Sequence, residues 1–200
     1  EIEYTETAFA ALLDGPMTGQ DARRGDEDVV FMLRFRIRNG THGRKNARLW
    51  LAIAPQEDLR LQGNLVLSAG RVVPAEPVAR QWKVQAYAEP VLRAAATVGK
   101  GRLSAVPCAD QPGQSQAVTS AVAYDVELEG GEADTLTLAV PFVSLTQAAE
   151  WQKAAALDYD AKLADVVSFW KGYVTGGGEL DLPDTVLADF HRAVRTHVAI

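Results

Sequence analysis

Residues 117–142 read AVTSAVAYDVELEGGEADTLTLAVPF, two runs that alternate apolar and polar side chains around a Gly130-Gly131 pair. In the first run Val118, Val122, Tyr124, Val126 and Leu128 share one side; in the second Leu136, Leu138 and Val140 do. A period of two is the pattern of a strand with one buried face, because successive side chains of extended backbone point to opposite sides. A glycine pair between two such runs is a turn signal that separates two strands.

The same pattern recurs upstream. In VVFMLRFRIR (residues 29–38), Phe31, Leu33, Phe35 and Ile37 are expected on the buried face, with Met32, Arg34, Arg36 and Arg38 opposite. NGTHGRKN forms a turn, and ARLWLAIA (residues 47–54) resumes the alternation through Leu49, Leu51 and Ile53. Further strands are expected around residues 59–62, 65–73, 80–88, 91–98 and 102–107. Short strands separated by turn signals, without intervening helices, predict a mainly β chain: a large, supersandwich-like antiparallel β-sandwich over residues 1–143.

Composition shifts after Pro141. TQAAEWQKAAA (residues 146–156) is rich in helix formers, with Ser144 and Gln147 at capping-box spacing. Tyr159, Leu163, Val166, Val167, Trp170 and Tyr173 recur at helical spacing as one apolar stripe. The Gly176-Gly177-Gly178 triplet ends that helix. Pro183-Asp184 starts another, with Asp184 as cap and Val186, Leu187, Phe190, Val194 and Val198 on one face. A lone amphipathic helix of this length is marginal in water and calls for a packing partner.

Of the 200 residues, 48% are hydrophobic and 23% charged, a globular composition. The net charge of −6 points away from nucleic acid and anionic membrane as partners. No apolar run approaches the roughly 20 residues of a membrane helix. Cys108 is the single cysteine, expected as a buried thiol, so neither an internal disulfide nor a multi-cysteine zinc site can form. Compartment stays open.

His42 lies in a turn, and His191 and His197 are six residues apart, on different sides of a helix. No metal or other cofactor is therefore expected. The glycine triplet lacks the residues of a phosphate loop, and no nucleophile elbow is present. Asn39-Gly40-Thr41 fits a glycosylation pattern but reads more simply as a turn. Asp158, Asp160 and Asp165, like Asp181, Asp184 and Asp189, read as helix caps and polar helix faces rather than an acid/base pair. Trp50, Trp82 and Trp170 are the candidate sugar or domain-interface contacts: Trp50 sits on the strand face opposite Leu49 and Leu51, and Trp170 lies on the helical stripe.

The segment YDAKLADVVSFWKGYVTGGGELDLPDTVLADFHRAVRTHV (residues 159–198) resembles the domain junction of six-hairpin glycosidases. The matching elements are Phe169-Trp170, the glycine break, Leu182-Pro183-Asp184, and a helix with Phe190, Ala193 and His197. GGEADTLTLAVPF is similar to the last sandwich hairpin of such proteins, and FMLRFRIRNGTHGRKNARLWLAI to their paired sandwich strands. The resemblance implies a sandwich (1–143), a helical linker (144–182) and the first helix (183–200) of an (α/α)6 barrel continuing beyond Ile200. It implies a non-catalytic segment whose partners are that barrel and the parent enzyme's carbohydrate substrate, with no catalytic residue carried here. The alternative is a self-contained carbohydrate-binding or interaction module, with exposed aromatics on one sandwich face and the last helix folded back on the strands. A mutarotase-like enzyme ranks below both, since the strands hold no histidine for acid/base work.

Overall fold

A computed structural model of the chain describes residues 1–17, 27–52, 57–71, 85–107, 119–175 and 185–198. Trp82, Cys108, Val118, the glycine triplet and Pro183-Asp184 lie outside the described residues. Among the described residues nine strands come first: β1 (Ile2–Leu12), β2 (Val29–Asn39), β3 (Lys45–Ala52), β4 (Glu57–Gln62), β5 (Leu65–Arg71), β6 (Gln85–Val98), β7 (Arg102–Pro107), β8 (Thr119–Leu128) and β9 (Ala133–Pro141). The helices α1 (Ala148–Ala155), α2 (Tyr159–Thr175) and α3 (Thr185–Val198) follow. The strands form two antiparallel sheets, ordered β1-β2-β9-β6-β5-β4 and β3-β8-β7. The chain is a mainly β protein with C-terminal helices.

The stretch with the glycine pair corrects the hairpin that the resemblance implies. β8 lies in the small sheet and β9 in the large one, so Gly130-Gly131 turns an arch between layers rather than a hairpin. Tyr124, Val126 and Leu128 of β8 face Leu136 and Leu138 of β9 across the core. β2 and β3 likewise belong to different sheets. A single residue ties the two arches together. Asn39 is fully buried, and its Nδ2 donates to the carbonyls of Gly43, Leu128 and Glu129 at 2.7, 3.1 and 3.1 Å. Its backbone N–H donates to Glu132 and its carbonyl accepts from Gly131. Gly130 is required here, since a Cβ would stand 2.3 Å from the His42 carbonyl oxygen, and Gly131 adopts φ +79°. With its amide so engaged, Asn39 offers nothing to a glycan.

The large sheet is buried on both sides, which corrects the one-sided reading of β2. Leu33, Phe35 and Ile37 pack into the sandwich, but Phe31 is 42% exposed beside Phe142. On the supposedly polar side, Val30 and Met32 are buried under the helices with Leu65, Leu67, Ala95 and Ala139. Three layers result: helices, large sheet, small sheet. Both β1 and the continuity of β6 escape the sequence pattern. β1 is an edge strand, mostly exposed, and so lacks apolar contrast. The two runs read at 80–88 and 91–98 are one strand from Gln85, because residues 87–90 bulge against residue 69 and so accommodate Pro90.

Candidate functional site

The helical layer is held by a small set of side chains. Leu145 hydrogen-bonds Leu92 at the sheet margin, and Trp151 on α1 donates its Nε1–H to the Leu145 carbonyl at 2.9 Å. Trp151 and Ala154 turn into the core. The capping box lies one turn later than expected: Gln147 is the cap and Glu150 accepts its N–H at 3.1 Å, because α1 begins at Ala148.

On α2, Tyr159, Leu163, Val166 and Trp170 pack on the large sheet, while Val167 of the same stripe is 40% exposed. Tyr159 meets Phe9 edge to face at 5.0 Å. Arg34, from the face read as polar, lies 3.8 Å over the Tyr159 ring and pairs through both terminal nitrogens with Asp160 at 2.7 and 3.1 Å. Burial pushes the Tyr159 hydroxyl up, opposed by the charge of Arg34. Because Asp160 is largely exposed, Arg34→Ala is expected to cost only about 1 kcal/mol, and Arg34→Lys to recover less than half of it, since lysine cannot pair through two nitrogens. Urea midpoints of the two variants measure this.

Each described linker carboxylate has a structural partner. Asp158 caps α2 by accepting the Ala161 N–H at 2.8 Å, and Asp165 accepts the Met17 N–H at 2.7 Å. Between them lies an open depression of about 400 Å³, where Lys162 donates to the carbonyls of Leu12 and Gly15. Among the described residues no three metal-ligating side chains converge, and no helix is long and apolar enough to cross a membrane.

α3 rests beside α2 with its apolar side largely in solvent: Val186 is 74% exposed, Leu187 54%, Phe190 66% and Val194 41%. His191 and His197 lie on this helix and His42 in the exposed turn after β2.

The tryptophans part company. Trp170 is half-buried against the helical core and touches Phe169 and Tyr173, so it belongs to packing. Trp50 is 54% exposed on the outer face of the small sheet. Across that face it is in register with Ala123 of β8 and Ser104 of β7. The adjacent row is Arg48, Asp125 and Arg102. Arg48 pairs with Asp125 through Nε and Nη2, the latter at 3.1 Å, and its guanidinium carbon lies 5.3 Å from the Trp50 ring centre. The Arg48 hydrogen bond holds the Asp125 carboxyl below the usual range, with Arg102 acting in the same direction. Sequence reasoning singled out Trp50 but not its polar neighbours. Their alternation in β3 and β8 was visible; which strands lie side by side was not.

Comparison with family models, with curated proteins and with solved structures finds no match to this chain.

Proposed function

We propose that the chain is the non-catalytic sandwich and linker portion of a glycoside hydrolase, supporting a catalytic barrel of paired helices that continues past Ile200. The observation that carries this is α3, a helix with Phe190 and Val194 presented to solvent after a linker pinned to the large sheet. Such a face is stable only against further apolar surface, and a helical barrel supplies it. α1 and α2 act as the rigid spacer: Trp151 and Tyr159 fix them to the sandwich, so the sandwich fixes the position at which the next helix starts. In the parent, one carboxyl group would protonate the leaving glycosidic oxygen and a second would activate water, both from the barrel. The described linker carboxylates are already engaged: Glu150 and Asp158 in caps, Asp160 with Arg34 and Asp165 with the Met17 N–H.

The test compares the natural polypeptide that carries this chain with residues 1–200 alone, assaying release of reducing sugar from a panel of oligosaccharides. Hydrolysis by the former and none by the latter is expected. A natural polypeptide with no paired-helix region after Ile200, or cleavage by residues 1–200 themselves, overturns the reading.

A further inference from the structure

We propose that the outer face of the small sheet, centred on Trp50, binds a pyranose unit of a neutral glycan. This goes beyond the support role above and does not depend on it.

Three features of the face converge. First, the indole of Trp50 is half exposed and stands in a row whose other members, Ala123 and Ser104, are small. Ala123 is only 1% exposed, so the floor of the row is covered and the indole itself is the open apolar surface against which a flat ligand can lie. The hydrogens on one side of a pyranose form a flat apolar patch that matches an indole in size, and burying both surfaces is favourable.

Second, the neighbouring row places a donor and an acceptor beside that ring, the Arg48 guanidinium carbon lying over it at 5.3 Å from its centre. Arg48 and Asp125 hold one another, so each side chain is pre-organised before any ligand arrives. The Arg48 fork keeps a further N–H outside the pair, and a carboxylate oxygen can accept from more than one donor. A guanidinium and a carboxylate side by side suit the vicinal hydroxyls of a sugar, each of which both donates and accepts. Arg102 completes the row on the other side of Asp125.

Third, the face is remote from the helical layer. The order of layers is helices, large sheet, small sheet, and the Trp50 side of the small sheet points away from α1 and α2. Packing against a domain that follows α3 does not account for an exposed indole there. A neutral ligand is favoured over an acidic one, because Arg48 is already compensated by Asp125 and the chain carries a net charge of −6.

The experiment is native affinity electrophoresis of the chain in gels containing a soluble glucan, mannan, galactan or xylan, with the polyanion alginate as a control. Retardation by at least one neutral polysaccharide is expected. Trp50→Ala should weaken it about tenfold or more, Trp50→Phe should weaken it less, and Arg48→Ala should fall between them. Circular dichroism of each variant establishes that the fold is kept, as expected for side chains on an outer face. Absence of retardation in all four neutral gels overturns the proposal. So does retardation that survives Trp50→Ala, or retardation by alginate alone. Sedimentation equilibrium adds the remaining arm: a dimer of the native chain that Trp50→Ala dissociates would assign the face to a second copy and overturn sugar binding.

Discussion

Trp151→Ala is expected to destabilise the chain by about 3–5 kcal/mol and to loosen α1 from the large sheet. The indole is 9% exposed and sits in the cluster that joins Val30, Met32 and Leu92 of the sheet to Ala154, Tyr159 and Val166 of the helices. Removing it opens a cavity at that junction. It also removes one of the two donors to the Leu145 carbonyl, which then keeps only the Leu92 N–H. Trp151→Phe separates the two effects: it keeps most of the apolar volume and loses the hydrogen bond, for about 1–2 kcal/mol. Urea unfolding followed by circular dichroism gives the totals, and hydrogen exchange of the α1 amides reports the local opening. A loss under 1 kcal/mol for the alanine variant would mean that the helices are not anchored through this side chain.

The second large effect lies at the opposite side of the sheet, where Asp134 clamps the turn between β6 and β7. Its carboxylate is 7% exposed and accepts the Tyr124 hydroxyl at 2.5 Å and the N–H groups of Lys100 and Gly101. Tyr124 itself is fully buried and accepts the Gly101 N–H at 3.0 Å. Asp134→Ala leaves the Tyr124 hydroxyl and the Lys100 N–H without their acceptor, Gly101 keeping Tyr124, and should cost about 3 kcal/mol or more. Tyr124→Phe removes one donor to Asp134 and one of the two acceptors of the Gly101 N–H, which keeps Asp134, and should cost about half as much.

The clamp also sets a pH dependence at both ends of the scale. Burial alone pushes the Asp134 carboxyl upward, but the hydrogen bonds from Tyr124, Lys100, Thr135 and Gly101 outweigh it, and the net direction is down. A depressed carboxyl means that the unfolded chain takes up protons first on acidification. Its contribution is therefore whole above the ordinary carboxyl range, near pH 4, and drains as pH falls through the lower folded value. Tyr124 works the other way. Burial and the Asp134 hydrogen bond push its hydroxyl up to about 12. The folded chain then holds this proton where the unfolded chain has lost it, so stability is present below about pH 10 and lost as pH climbs from there. Asp134→Ala should flatten the acid limb of urea midpoint against pH, and absorbance titration should show Tyr124 ionising above the ordinary tyrosine range and together with unfolding. An acid limb unchanged in the variant would remove Asp134 from this role.

How much was legible is best judged strand by strand. β2, β3, β8 and β9 were readable because each has an apolar run facing the core, and α2 because its stripe keeps a 3.6-residue period. The burial of Val30 and Met32 was not readable. Nothing between residues 29 and 38 records that a helix 120 residues later will cover their side of the sheet, although the aliphatic stem and charge of Arg34 serve that helix through Tyr159 and Asp160. Parity alone put Trp50 on the face opposite Leu49 and Leu51; that this face is open, and that the Arg48–Asp125 pair lies beside it, required the assembled sheets.

The sequence by itself determined the class of this protein: extended runs in the first 143 residues, helices after them, and which residues of each run share a side. These are local matters, set by the geometry of two or 3.6 residues per repeat acting on neighbouring side chains. Only the tertiary structure decided that Gly130-Gly131 spans two sheets, that the large sheet is covered on both sides, and that Asn39 and Asp134 lock the turns. Alternation is the same in a hairpin and in an arch. The choice between them falls to burial of apolar faces against distant partners and to the need of every buried polar group for a hydrogen bond, and both are properties of the assembled chain.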